Sequence, residues 1–260
     1  MRDILSDLFE NQPLDPMVSA RQGARASLRK RFYKHASVAE IAGEGGFAVL
    51  LDDKPVKTPV RRALAAPVRP LAELIAREWE AQETVIEPAR MPLTRLANAV
   101  IDAVADHAGA VTDEVTKYLG SDLLCYRADT PPGLVARQAQ HWDPVIAWAR
   151  DKLGARFVLV EGIVYAAQPD DTIAAARAAI PRDIWRLGAV ASITTITGSG
   201  LLALALAHDA IEPAAAWAAA HVDEDWQMSS WGSDDEALER RAYRLADFEA
   251  AVDVLTQLTP

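Results

Sequence analysis

The sequence predicts an α+β fold in which a small β-rich N-terminal domain precedes a larger all-α C-terminal domain. Before residue 70, short apolar segments alternate with glycine and proline. After residue 70, apolar residues recur at helical spacing, and residues 172–258 are rich in alanine. We therefore expect a flexible arm over 1–30, a β-rich domain over 31–90 and a helical domain over 91–260.

The N-terminal domain is predicted to be a compact β meander that ends in one helix. Residues 38–41 and 47–51 are apolar segments of strand length, and the glycine-rich residues 43–46 lie between them. Residues 52–55 predict a second turn. Prolines interrupt the chain up to Pro70, so the helix of this domain is expected to begin there.

The helical domain is predicted from amphipathic segments that have proline or glycine at their ends. Thr94 is predicted to cap the first helix, Thr112 to start another, and a third helix is expected between Pro131 and Gly154. Residues 156–166 are rich in β-branched side chains, which predicts an extended segment. One option is that this segment returns to the N-terminal sheet as an added strand.

Composition and charge exclude several classes of function. The chain has 260 residues, half of them hydrophobic, and a formal net charge of -10, which repels nucleic acid and anionic lipid. Cys125 is the single cysteine, so an internal disulfide and a cysteine-based zinc site are both excluded. We expect no secretory signal, although residues 18–31 are basic as in a displaced mitochondrial transit peptide. The predicted location is a bacterial cytoplasm, or the mitochondrial matrix if the source is eukaryotic.

An uncharged stretch at residues 187–207 raises the question of a membrane span. Its length suffices for a helix across a bilayer of ~30 Å, which would make the protein a membrane-tethered scaffold. Several hydroxyl side chains and the sequence Gly198-Ser199-Gly200 interrupt it, and no basic flank marks a cytoplasmic side. We therefore predict a buried core element with no membrane insertion, and assign the Gly-Ser-Gly sequence a packing role instead of phosphate binding.

A cluster of acidic residues with one histidine offers the main catalytic alternative. His221, Glu224 and Asp225 would share one helix face and could ligate a divalent ion, so a metal-assisted hydrolase centred on His221, Asp223 and Glu224 is the alternative function. A solvated helix surface explains the same pattern. We expect no metal, no cofactor, no small-molecule substrate and no enzymatic activity.

The segment from Trp226 to Arg241 combines tryptophan, methionine and charged residues. Ser233 and Glu236 have the spacing of a capping box, which predicts a helix start with an acidic first turn. Trp226 and Trp231 are expected to anchor the core. The acidic residues can either solvate the helix or surround a protein-binding site.

Several stretches in the same order and spacing resemble one known family. They are residues 57–59, 78–79 with Gln82, 91–98 with 101–102, 118–127, 198–201 and 226–241. Together, over residues 32–250, the chain is similar to the Atp-twelve family of chaperones, which assemble the catalytic sector of ATP synthase.

The resemblance implies a non-enzymatic protein with a β-rich N-terminal and a helical C-terminal domain. It implies that the partner is the free alpha subunit of ATP synthase, whose beta-facing interface the chaperone shields from aggregation until beta replaces it. Because the segment 226–241 is rich in acidic residues, we expect it to bind the partner. The expected partner-binding residues are Trp231, Asp234, Asp235, Glu236, Glu239 and Arg240.

Overall fold

The computed structural model describes residues 28–41, 43, 45–162, 164–232 and 234–258. Its N-terminal sheet contains four short strands, β1 (Ala36–Glu40), β2 (Phe47–Leu51), β3 (Lys54–Pro55) and β4 (Ala65–Ala66). β2 pairs antiparallel with each of the other three, and Val38 of β1 lies opposite Val49 of β2. The predicted meander is therefore present, with β2 at its centre.

Backbone pairing begins earlier in the chain than the sequence predicts. The Arg31 amide donates to the carbonyl of Thr84, and the Ile86 amide donates to the carbonyl of Arg29. This pairing depends on a partner segment more than fifty residues away, so the sequence near Arg29 gives no local signal for it. Residues 1–27 of the predicted arm lie outside the described residues.

The described residues that follow the sheet are mainly helical, as predicted. The helices are α1 (Arg69–Glu80), α2 (Pro92–Ala99), α3 (Ala105–Leu119), α4 (Pro132–Trp148), α5 (Asp170–Ala178), α6 (Ile184–Thr197), α7 (Gly200–Ala207), α8 (Pro213–Ala220), α9 (Val222–Trp231) and α10 (Asp235–Gln257). Short 3-10 turns cover Pro88–Arg90 and Leu123–Cys125, and π-helical turns extend α2 through Val100–Val104 and α4 through Ala149–Leu153.

The first turn of α2 is capped by a residue from another helix. The amides of Leu93 and Thr94 both donate to the carboxylate of Glu78 on α1, each at 2.7 Å. Burial raises the pKa of Glu78, and the hydrogen bonds from the start of α2 oppose that rise. The prediction that Thr94 caps this helix is wrong, because Thr94 lies inside α2 and a tertiary contact supplies the cap.

Two further sequence predictions are corrected by the structure. Thr112 does not start a helix: it lies within α3, and its hydroxyl donates to the carbonyl of Ala108 one turn earlier. The extended segment after Gly154 does not join the N-terminal sheet. Its strand β6 (Val160–Glu161) pairs in parallel with β5 (Tyr126–Arg127), which follows the 3-10 turn.

The uncharged stretch 187–207 forms the centre of the helical core. It folds as most of α6 and the whole of α7, every residue of α7 is buried, and α6 packs against α3, α7 and α10. In the part of the chain that the structure describes, no helix combines the length and apolar character needed to cross a membrane. The prediction of a buried element is confirmed, because the break at Gly198-Ser199 turns one long apolar run into two packed helices.

Hydrogen bonds join the N-terminal sheet to the helices. The carboxylate of Asp102, in the π turn after α2, accepts from the Thr58 hydroxyl at 2.6 Å and from the Val60 amide at 3.1 Å. Buried residues from both regions, including Val49 and Leu187, belong to one hydrophobic cluster. The division into domains at about residue 90 stays a prediction.

Candidate partner-binding surface

The corner between α9 and α10 exposes a large aromatic side chain. Trp231, the last residue of α9, is 89% exposed. Gly232 follows with φ 82°, a backbone conformation that favours glycine and turns the chain towards α10. The expectation that Trp231 anchors the core is wrong, because the turn at Gly232 leaves the indole beyond the packed end of α9.

Trp226, one and a half turns earlier, is half-buried and held by α4. The Arg137 guanidinium lies 5.3 Å from the centre of its ring, and its carbonyl accepts from the hydroxyls of Ser229 and Ser230. The two tryptophans of this segment therefore have different environments. Trp226 fixes α9 on α4, whereas Trp231 projects into solvent.

The predicted acidic residues surround the start of α10. Asp234 is its N-cap, and its carboxylate accepts from the Ala237 amide at 2.6 Å. The predicted capping box is wrong in its first member, because Asp234 holds the capping position; Ser233 lies outside the described residues. Glu236 forms an ion pair with Arg240 one turn later, and Asp235 and Glu239 are exposed.

Two arginines that the sequence prediction did not select form the inner side of this surface. The Arg241 guanidinium pairs with Asp225, and Arg244 pairs with Glu224 at 3.2 Å. Arg244 also donates to the carbonyl of Ile196 near the end of α6, at 2.9 Å. The spacing of these arginines on one helix face is a signal that sequence analysis could have used.

The arrangement at this corner is therefore mixed in charge instead of uniformly acidic. The residues form a shallow groove of about 600 Å³ between α9 and α10, with Met228 and Trp231 on one side and Arg240 and Arg244 on the other. Asp234 and Glu236 each have an intramolecular partner, so they do two things at once: they stabilise α10 and contribute charge to the surface.

The histidine of the alternative metal site is a buried core residue. His221 packs on the ring of Trp217 with centroids 3.9 Å apart, and its Nδ1 donates to the Trp217 carbonyl at 2.8 Å. Burial lowers its pKa, so the ring is neutral at pH 7. Its Nε2 lies 3.8 Å from Glu224, but Asp223 accepts a hydrogen bond from Gln138.

These contacts do not assemble a ligand set. Asp225 pairs with Arg241 on α10, so the acids of the cluster point to different partners. Among the described residues, no group of three or more His, Cys, Asp or Glu side chains is placed to hold a metal ion. The geometry gives no support to a hydrolase centred on this cluster.

The Gly-Ser-Gly sequence forms a buried polar site with structural partners. The Asp122 carboxylate accepts from the Ser199 hydroxyl at 2.7 Å, the Leu201 amide at 2.9 Å and the Leu124 amide at 3.1 Å. A Cβ atom on Gly200 would lie 2.9 Å from the Leu119 side chain. This carboxylate occupies the N-terminus of α7, so the sequence has a packing role, as predicted.

Cys125, next to this site, is an inert thiol. It is fully buried, and burial raises its pKa to about 12. A protonated thiol is a poor nucleophile, so Cys125 has the surroundings of a structural cysteine.

Comparisons with known proteins agree on one family. A profile of the ATP12 chaperone protein matches residues 30–150. The mitochondrial protein atp12 of Schizosaccharomyces pombe is 23% identical over 223 residues, which cover 81% of this chain and 76% of the yeast protein.

Solved structures extend the match over nearly the whole chain. The Atu1473 protein of Agrobacterium tumefaciens is 47% identical with a TM-score of 0.85, covering 96% of this chain and 93% of its own. Atp12 of Paracoccus denitrificans is 38% identical with a TM-score of 0.79, covering 88% of this chain and 97% of its own. On this sequence identity and shared fold, the chain belongs to the ATP12 family of chaperones for ATP synthase assembly.

Proposed function

We propose that this protein binds the free alpha subunit of the ATP synthase catalytic sector and covers its beta-facing interface until beta replaces it. A subunit interface that awaits its partner is an exposed apolar surface and promotes aggregation. A chaperone that covers it needs an apolar contact of its own, and it needs to be displaced by beta. Moderate affinity with electrostatic assistance meets both needs.

The observation that carries this proposal is the exposure of Trp231. Tryptophan is enriched among the residues that contribute most to protein–protein binding, because its large ring loses much apolar surface to water on contact. An indole that is 89% exposed and shares its groove with Asp234 and Arg240 has the composition of an unoccupied binding surface: an apolar centre with a charged rim.

The proposal includes the absence of catalysis. The acids and histidine of the rival hydrolase have separate structural partners, and the buried Cys125 thiol is not activated. The net charge of -10 disfavours nucleic acid as a partner and favours a basic rim on the client. We propose that the protein acts in the bacterial cytoplasm, where the alpha subunit is synthesised.

The test is co-expression of this chain with the alpha subunit of the same organism. Soluble alpha that co-purifies with the chain supports the proposal; insoluble alpha, equal to that in cells lacking the chain, contradicts it. Replacing Trp231→Ser should weaken capture by at least about tenfold, since truncating an interface tryptophan typically costs more than 1.4 kcal/mol.

A matched variant separates the role of Trp231 from a general loss of apolar surface. Val60 is also exposed, at 62%, but lies in the loop beside Asp102. The Val60→Ser variant should capture alpha as the unaltered chain does. Equal capture by the Trp231→Ser variant would remove the indole from the binding surface.

A further inference from the structure

A second exposed apolar surface lies in the segment that contains β6. Four large apolar side chains are solvent-exposed there: Val158 (40%), Leu159 (43%), Val164 (75%) and Tyr165 (67%). Single exposed apolar side chains are ordinary, but several within one short segment mark an interaction surface. We call the residues 158–162 together with Val164 and Tyr165 the β6 segment.

The backbone of this segment presents an open strand edge. β6 pairs in parallel with β5, with Glu161 opposite Arg127, and the Gly162 amide donates to the Arg127 carbonyl at 2.9 Å. Alternate residues of a parallel strand direct both backbone groups to the same neighbour. Val160 and Gly162 therefore face β5, and the amide and carbonyl of Glu161 face the opposite side.

At Val158, the side chain of Gln168 takes the place of a neighbouring strand. The Val158 amide donates to Oε1 of Gln168 at 2.8 Å, and Nε2 of Gln168 donates to the Val158 carbonyl at 3.0 Å. This pair of bonds has the pattern that an adjacent strand would make. Within the described residues, no such side chain protects the outward edge at Glu161.

The charge at this edge indicates what kind of strand would fit. Glu161 is exposed, and in the described part of the chain its carboxylate forms no ion pair. Asp170 and Asp171 follow at the start of α5 and are also exposed. An incoming strand with apolar side chains and a lysine or arginine beside Glu161 would complement both the apolar surface and the charge.

We propose that the β6 segment binds an extended segment of the client protein, which adds a third strand to the β5–β6 sheet. The inference rests on the proposed function, because the client is taken to be the alpha subunit. Addition of a strand supplies the missing backbone partners of Glu161 and covers Val164 and Tyr165. It gives the chaperone a contact that depends on backbone and apolar pattern and is separate from Trp231.

The elements that carry the two surfaces are linked through α4. Oε1 of the buried Gln138 on α4 accepts from the Ala128 amide just after β5, and its Nε2 donates to Asp223 on α9. Gln138 thus connects the β5–β6 sheet to the helix that ends at Trp231. A client can contact both surfaces on elements that α4 holds together.

The decisive variant is Glu161→Pro. Proline removes the outward amide and leaves the bonds to β5 intact, because those come from Val160 and Gly162. Capture of the alpha subunit from the same organism should weaken by about tenfold, the effect of losing one backbone hydrogen bond at an interface. The Glu161→Ala variant keeps the amide and loses the charge, and should weaken capture by no more than about threefold.

Each outcome has a definite meaning. If the unaltered chain fails to capture alpha, the proposed function fails. If it captures alpha and Glu161→Pro captures it equally well, only the added strand is overturned. Should Glu161→Pro fail to fold by circular dichroism, the double variant Val164→Ser with Tyr165→Ser replaces it, with the same loss expected.

A second copy of this chain is the competing occupant of the edge. Light scattering after size-exclusion chromatography measures the mass of the unaltered chain and of Glu161→Pro. A monomer in both cases agrees with a client strand. A dimer that dissociates in Glu161→Pro would assign the edge to self-association and overturn the proposal.

Discussion

At the scale of single residues, buried carboxylates organise this fold by capping helices to which they do not belong. Asp122 accepts hydrogen bonds at the N-terminus of α7, and Glu78 accepts two amides at the start of α2. A helix N-terminus carries unpaired amides and partial positive charge, so a carboxylate there is stabilised even when burial disfavours its ionisation. For Asp122 burial has the larger effect, and it raises the pKa to about 6.

This pKa makes stability depend on pH in a definite direction. The ordinary pKa of the Asp122 carboxyl is 3.8, so between about pH 4 and pH 6 the folded state holds a proton that the unfolded state has lost. The contribution of Asp122 to stability is therefore greatest below pH 4 and falls as pH rises through 6. From the two pKa values the fall amounts to about 3 kcal/mol.

The Asp122→Asn variant tests this, because asparagine does not titrate. Urea unfolding at pH 4.5 and pH 7 gives the free energy of unfolding for both chains, and other carboxylates cancel in the comparison. Relative to the variant, the unaltered chain should lose roughly 2 kcal/mol between these two pH values. A difference between the chains that stays constant with pH would contradict the raised pKa.

At the scale of elements, the acidic residues of the α9–α10 corner have two roles: they stabilise α10 and they place charge on the surface. Asp234 caps α10 and Glu236 pairs with Arg240, so these acids stabilise the helix on which they are displayed. Charges that are exposed on a helix contribute little to stability, but they steer the approach of an oppositely charged partner. The acidic residues of this surface should therefore affect the rate of association with the partner more than the stability of the fold.

Reversal of two of these charges, Glu236→Lys with Glu239→Lys, is expected to slow capture of alpha by about tenfold at low salt. The difference from the unaltered chain should shrink as salt rises, since screening weakens long-range steering. Stopped-flow or surface-based kinetics at several salt concentrations measure both effects.

The control for this variant is Glu40→Lys with Glu83→Lys. These two acids are exposed and lie on the N-terminal part of the chain, so their reversal changes the net charge by the same amount. If both double variants slow association equally, net charge alone explains the effect, and the rim at α10 has no specific role. Thermal unfolding should show that each variant remains folded.

At the scale of the whole molecule, the sheet and the helices are held together by hydrophobic contact and by a small number of polar links. Asp102 receives two hydrogen bonds from the loop after β3, and Arg62 of that loop donates to the Ile101 carbonyl at 2.6 Å. Thr58, Ile101 and Asp102 of this link belong to two of the stretches that suggested the family, 57–59 and 101–102. Their role in the fold is to fix the sheet on the helices.

Loss of this link should be measurable as stability. The Asp102→Ala variant leaves the Thr58 hydroxyl and the Val60 amide without their acceptor, and should lower the free energy of unfolding by about 1–3 kcal/mol. Asp106→Ala is the matched control, because Asp106 is exposed and pairs with Arg62 at the surface. It should cost at most about 1 kcal/mol. Equal losses in the two variants would contradict a specific role for Asp102.

The sequence by itself determined the order and type of most elements. Proline and glycine positions mark where helices stop, apolar spacing separates strand from helix, and the break at Gly198-Ser199 distinguishes a folded core from a membrane span. These features depend on residues close together in the chain. The stretches that carry the resemblance to the family, such as 57–59 and 198–201, are likewise short and local in sequence.

The tertiary structure decided which groups meet across long distances in sequence. In the structure Trp231 is exposed, and Glu78 caps α2 in place of Thr94. Strand β6 pairs with β5 and not with the N-terminal sheet. The local sequence pattern predicts which residues are apolar and which segments are extended. Whether a residue is buried, and which strand a segment pairs with, depend on the parts of the chain that pack beside it. The sequence proposed the candidate site by its residue types, and only the fold distinguished the exposed indole of Trp231 from the half-buried indole of Trp226.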